Sequence, residues 1–171
     1  MKYLDYDESK TINNILNYLD ISNIISKSHL AREMGITKSM FYNTLKYGRT
    51  LYADEFFNIC LILNKKPSDF IFENEYKISE LSISPKLVTN KEISELWNDI
   101  RSNKLINTPK FSCRTLGSEI YMDHNSVWNR DKNYCNPNKK PIHITVHDIW
   151  GLCVAYDIDI DNAFRFTINN Y

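Results

Sequence analysis

The chain repeats itself, and a repeat of this size constrains the fold more than any single motif. Residues 12–72 and 93–166 carry the same order of apolar positions. Ile12, Ile15, Leu16 and Leu19 match Ile93, Leu96, Trp97 and Ile100, and Ile24 and Ile25 match Leu105 and Ile106. Further on, Leu30 and Ala31 match Leu116 and Gly117, Phe41 matches Val127, and Cys60 matches Cys153. The offset between partners runs 81, then 86, then 93, so the second copy holds insertions of five and seven residues. Both fall where loops are expected, and loops accept insertion at little cost in closure entropy. Such self-similarity marks two copies of one unit, the first over residues 1–80 and the second over 81–171.

Each copy reads as a series of short helices. In the first, Ile12, Ile15, Leu16 and Leu19 have helical spacing. A second helix fits Lys27 to Met34, followed by Gly35, which takes a left-handed turn freely. Thr37 is placed to cap a third helix over Lys38 to Tyr47, which Gly48 stops. A fourth carries Phe56, Phe57, Ile59, Cys60 and Leu63 before Pro67 breaks it. In the second copy, Thr89 and Glu92 have the spacing of a capping box. Helices are expected over Arg114–Ile120 and, capped by Asp123, over His124–Lys132. A loop over 133–141 and an extended stretch over 142–146 precede a helix from Asp148 to Tyr156. Both copies end in alternation: Phe70, Phe72, Tyr76, Ile78 in one, and Phe164, Phe166, Ile168 in the other. A lone strand is not stable, so the two tails are expected to pair in one small central β-sheet across a pseudo-twofold axis.

Lysines and arginines (21) balance aspartates and glutamates (21), which alone argues against a polyanionic partner. Their placement argues otherwise. Residues 26–66 hold seven basic against three acidic residues, and residues 110–147 hold six against three. Residues 67–99 hold three against seven, and 148–171 one against four. Basic charge thus gathers in the same part of each copy, and a segregated field steers a polyanion even when the total cancels. No run of 18 apolar residues exists, so no membrane span is expected, and the first residues lack the apolar core of a signal peptide. A cytoplasmic location follows as an expectation. The four cysteines (Cys60, Cys113, Cys135, Cys153) form no C-x-x-C pair and read as small buried hydrophobes. His143 and His147 lie four apart near Cys135, but on an extended stretch that spacing does not bring them together, and no metal, cofactor or catalytic site is expected.

The stretch Leu30-Ala31-Arg32-Glu33-Met34-Gly35-Ile36-Thr37-Lys38-Ser39-Met40-Phe41 resembles the helix-turn-helix of the Cro/C1-type (XRE) DNA-binding family. That pattern is Leu-Ala, three residues, Gly, an apolar residue, Ser or Thr, three residues, then an apolar core position. Residues 57–64 and Pro67-Ser68-Asp69-Phe70 resemble the family's later helix and its end. The resemblance implies a mainly α fold of two lambda-repressor-like units fused as a pseudo-dimer, joined here by the expected central sheet. At the level of the whole chain the arrangement is similar to TraN-type DNA-binding proteins of Gram-positive conjugative plasmids.

With Phe41 inside, the outer face of the third helix holds Lys38, Ser39, Met40, Tyr42, Asn43 and Lys46. By register, His124, Asn125, Ser126, Trp128 and Asn129 form the matching face. Asn43 and Asn129 correspond, and asparagine bonds adenine bidentately. Lys46, Arg49, Lys132, Lys139 and Lys140 suit phosphates, which position a protein without reading sequence. The second motif departs from the pattern. Asp131 stands at the place of Leu45 and Tyr121 at that of Gly35, where a positive φ costs a bulky residue about 1–2 kcal/mol. Its turn is expected either to take another shape or to belong to a copy with a purely structural role.

The expected function is binding of double-stranded DNA at two unlike half-sites by one chain acting as an internal dimer. A transcriptional repressor of a plasmid, conjugative element or phage fits this best. The alternatives are an accessory factor of conjugative DNA processing, and a protein-binding module (antirepressor or inhibitor) that has lost DNA.

Overall fold

The computed structural model describes residues 6–47, 49–72, 77–102, 111–133, 138 and 142–170. Among them are ten helices and no strand. The first five are α1 (Glu8–Ser22), α2 (Lys27–Glu33), α3 (Lys38–Tyr47), α4 (Ala53–Ile62) and α5 (Pro67–Ile71). The next five are α6 (Asn90–Arg101), α7 (Cys113–Glu119), α8 (His124–Asn133), α9 (Val146–Ala155) and α10 (Ile160–Asn170). At the offsets read from the apolar pattern, α7, α8 and α9 begin and end on the partners of the first and last residues of α2, α3 and α4. Packing repeats as well: α1 touches α3 and α5, and α2 touches α3 and α4. Likewise α6 touches α8 and α10, and α7 touches α8 and α9.

Caps fix most helix starts. Asp7 accepts from the Lys10 N–H, Ser26 from His29, Ser112 from Thr115, and Thr145 from Asp148. Thr89 and Glu92 form the capping box expected of them. The left-handed residues after α4 and α9 also correspond: Asn64 at φ +52 and Asp157 at φ +53. Both are residue types that tolerate this conformation.

The expected central β-sheet is absent among the described residues. Phe70 lies in α5 and Phe72 is its C-cap, while Phe164, Phe166 and Ile168 all lie in α10. Ile78 is exposed, and Tyr76 lies outside the described residues. The alternation of aromatics is misleading here. The buried positions are Pro67, Phe70 and Ile71 in one tail and, besides the Asp161 that bonds Ser68, Ile160, Ala163, Phe164 and Thr167 in the other. That is spacing of three and four, which buries one face of a helix and not of a strand.

The copies join elsewhere, through the segments that lead into α4 and α9. Tyr52 and Thr145 form an isolated antiparallel bridge. The Ala53 N–H donates to the Ile144 carbonyl at 2.9 Å, and the Val146 N–H to the Leu51 carbonyl at 3.0 Å. Val146 is the partner of Ala53 in the repeat, and Ile144 the partner of Leu51. Reciprocal bonds between equivalent residues are the signature of a twofold contact, so a pseudo-twofold axis passes by this bridge. A second crossing obeys the same symmetry. Asp161 accepts from the Ser68 N–H at 2.9 Å and its hydroxyl at 2.6 Å, and Ser68 and Asp161 are partners in the repeat. Phe57 also meets Phe164 edge-on, their ring centroids 5.2 Å apart. The extended stretch expected over 142–146 therefore becomes one bridge followed at once by α9.

The linker breaks the symmetry. Buried Asn58 on α4 donates its amide to the Val88 carbonyl and accepts the Val88 N–H, both at 2.8 Å. Its partner in the repeat is Gly151, which has no side chain to do the same. Ser82 also bonds the carbonyls of Leu61 and Ile62, so the linker is held along α4 before α6 begins. Cys60 and Cys153 are free and buried, and burial pushes both thiols up, Cys153 to about 12. No described helix is long and apolar enough to cross a membrane.

Candidate nucleic-acid interface

Two helix-turn-helix elements, α2–α3 and α7–α8, stand at equivalent places about the pseudo-twofold axis. In the first, Gly35 takes the turn at φ +70 with no atom within 4 Å of an added Cβ. The Ile36 N–H returns to the Ala31 carbonyl at 3.1 Å. Thr37 accepts the Met40 N–H at 3.2 Å and starts α3. Phe41, Thr44 and Leu45 are buried beneath that helix.

The second turn keeps the shape of the first, contrary to the altered turn that Tyr121 suggested. Tyr121 takes φ +51, and the Met122 N–H returns to the Gly117 carbonyl at 2.8 Å. Asp123 accepts the N–H groups of Asn125 at 2.8 Å and Ser126 at 3.3 Å, and so starts α8. The approach of the turn to α7 is closer than in the first unit: a Cβ on Gly117 would stand 2.4 Å from the Met122 carbonyl oxygen. The first unit fits an alanine at this place. The second unit therefore carries glycine inside a helix, worth about 1 kcal/mol against alanine, and an aromatic residue in the left-handed region.

On the outer face of α3, Lys38, Ser39, Met40, Asn43 and Lys46 are exposed, and Tyr42 is half-buried. Lys38 lies over the Tyr42 ring at 5.4 Å and Lys46 over the Tyr47 ring at 5.6 Å. On α8, His124, Asn125, Trp128, Asn129 and Lys132 are exposed, and Ser126 is half-buried. Lys139 and Lys140, like Gly48 and Cys135, lie outside the described residues.

Arg49 is committed to the fold more than to a ligand. Its guanidinium reaches Glu55 at 2.5 Å and the Thr44 hydroxyl at 2.9 Å, and lies over the Tyr52 ring at 4.9 Å. Burial pushes the Glu55 carboxyl up, and the hydrogen bond from Arg49 opposes it. The second unit makes the same connection with different residues. Arg130, the partner of Thr44, bonds Asp148, the partner of Glu55, at 2.8 Å. In both units an arginine thus ties the outward helix to the helix that follows it.

Asp131, at the place of Leu45, anchors a polar cluster. It accepts the Trp97 indole N–H at 2.8 Å and three contacts from Arg101 at 2.9 to 3.3 Å. Arg101 also donates to the Phe111 carbonyl and the Tyr156 hydroxyl at 2.7 and 2.8 Å. Burial works against the charged form of Asp131, but the bonds from Arg101 and Trp97 outweigh it and hold the carboxyl below its usual range. The departure from the first motif thus has a structural reason, and its sign was legible only as a misplaced acid.

His143 stacks on Tyr52 at 4.6 Å, and His147 lies 6.0 Å from the Tyr6 ring. Beside the two outer faces stand exposed Tyr47 and Tyr121, neither of them among the residues that register alone places on those faces. No family model, curated protein or solved structure matches this chain.

Proposed function

We propose that this chain binds double-stranded DNA with α3 and α8, one in each of two adjacent major grooves, as a dimer built into one polypeptide. One observation carries the reading. Two capped, outward helices occupy equivalent places about a pseudo-twofold axis, and each presents an exposed asparagine and lysine at the same register (Asn43 and Lys46, Asn129 and Lys132). An α-helix fits the major groove, and twofold-related helices bind half-sites about 34 Å apart. The resemblance of residues 30–70 to the Cro/C1-type family supports the same reading. The two faces differ, Lys-Ser-Met and Tyr-Asn on one against His-Asn-Ser and Trp-Asn on the other, so the half-sites differ too. Within this reading the chain acts as a transcriptional repressor of a mobile element.

A gel-shift titration against fragments of the chain's own operon tests it. A shift that weakens steeply with salt is expected; no shift at low salt refutes it. Loss of the shift in Lys38→Ala with Asn43→Ala, but not in Asn125→Ala with Asn129→Ala, assigns the second unit to scaffolding. Exposed Met40, Tyr47, Tyr121 and Trp128 favour the second reading, a protein-binding module, because large apolar groups are common in protein interfaces.

A further inference from the structure

A cleft of about 540 Å³ opens where the end of α5 meets α9 and the start of α10, between the two units. Small-molecule sites usually measure about 300–1,000 Å³. Phe72 and Trp150 give it an aromatic wall, their ring centroids 5.4 Å apart and their planes at 64°. Trp150 is 7 % exposed, and its buried indole N–H finds no acceptor. Buried donors are nearly always paired, so the wall holds a donor for an acceptor that the chain itself does not supply. Asp157, Asp159 and Asp161 also line the cleft, and no lysine, arginine or histidine does. Asp161 is buried and accepts the Ser68 N–H and hydroxyl, while Asp159 accepts the Asp161 N–H through Oδ1. These donors are uncharged, and a carboxylate has about four acceptor sites. Asp159 and Asp161 therefore keep both charge and lone pairs for a cation.

The equivalent place in the first unit has the opposite chemistry. Phe57 stands there for Trp150 and packs against Phe164. Asn64, Lys65 and Lys66 stand for Asp157, Ile158 and Asp159, and Arg165 for Phe72. Only the second unit thus combines carboxylates with an indole at this position. We propose that the cleft binds a small organic amine, its ammonium donating to Asp159 and Asp161 and its apolar body lying against Trp150 and Phe72. Hydrogen bonds from an ammonium to carboxylates are charge-assisted, and an indole face beside the cation adds to the attraction. Ser68 and Phe72 belong to the first unit and the acids to the second, so the bound amine ties the units together. The site stands whatever α3 and α8 contact.

Isothermal titration at neutral pH and fixed ionic strength tests it. The probes are tyramine and tyrosol, which carries a hydroxyl in place of the ammonium. Tyramine should bind once per chain, and at least about tenfold more tightly than tyrosol. It should also change the tryptophan fluorescence, and Trp150→Phe, which installs the residue of the first unit, should remove that change. Asp157→Asn with Asp159→Asn keeps an oxygen for the Asp161 N–H, and asparagine tolerates the φ of +53 at 157. This variant should hold its Tm, lose about tenfold or more in tyramine affinity, and bind tyrosol as before. The proposal is overturned if tyramine does not bind, binds no better than tyrosol, or binds more than once per chain. It is overturned equally by full affinity in the aspartate variant, or by a fluorescence change that survives Trp150→Phe. If the aspartate variant fails to fold, the wild-type ratio of tyramine to tyrosol affinity and the Trp150→Phe fluorescence decide.

Discussion

Replacing Asp131 by leucine, the residue at the equivalent place in the first unit, should destabilise the protein strongly although it makes the second motif look more regular. Arg101 is 2 % exposed at its side chain and Asp131 14 %. Asp131→Leu removes every acceptor of the Arg101 Nε and the carboxylate acceptor of its Nη2. It also leaves the Trp97 indole N–H without its partner. The guanidinium keeps the Phe111 carbonyl and the Tyr156 hydroxyl, neither of which carries charge to balance it. Breaking a buried pair from one side costs about 3–5 kcal/mol, because the remaining charge stays buried. For a chain of this length that lowers Tm by roughly 6–20 °C. Arg101→Met added to Asp131→Leu removes the stranded charge. The double variant should recover most of the loss, leaving about 1–3 kcal/mol for the unpartnered indole. Urea unfolding followed by circular dichroism measures all three proteins. A double variant as unstable as Asp131→Leu, or a single variant within about 1 kcal/mol of wild type, would refute the reasoning.

The glycines should separate two kinds of strain. Gly117→Ala brings a Cβ to 2.4 Å from a backbone carbonyl and should cost about 1–3 kcal/mol in urea unfolding. Gly35→Ala meets no atom, so it should cost only the left-handed backbone, about 1–2 kcal/mol. Asp161→Ala removes both bonds from Ser68 and should cost about 1–3 kcal/mol, with increased amide exchange in α5 and the start of α10. The acid limb of stability should carry the signature of Asp131. Its folded carboxyl is depressed, so its contribution is present above the unfolded value of about 3.9 and is lost as pH falls through the lower folded value. A pH titration of stability should show this loss in the wild type and not in Asp131→Leu.

What could be read in advance depended on whether a residue's partner was near in sequence. The span of α3, Lys38–Tyr47, follows from its cap and its apolar spacing, and the structure has the same bounds. The capping box at Thr89 and Glu92 is equally local. The tails look strand-like because Phe164, Phe166 and Ile168 alternate, while the decisive set, Ile160, Ala163, Phe164 and Thr167, includes small and polar residues that carry no strong apolar signal. The Tyr52–Thr145 bridge follows only from the pseudo-twofold axis, which brings together residues 93 apart. Asp131 was visible as an anomaly, but its partner Arg101 lies 30 residues away, opposite an aspartate, Asp20, in the first unit. At the candidate interface, exposure of Lys38, Asn43, His124 and Asn129 follows from register alone. The commitment of Arg49 to Glu55 does not, because arginine after a helix suits a phosphate as well as it suits a carboxylate.

The central claim is that one chain engages one duplex with two unlike helices. Hydroxyl-radical footprinting of a duplex selected by the wild-type protein, with the stoichiometry measured on the same complex, tests it most directly. The account predicts one chain per duplex and two protected segments of different sequence, about one helical turn (~34 Å) apart. Two chains per site, or a single protected segment that Asn125→Ala with Asn129→Ala leaves unchanged, would contradict it.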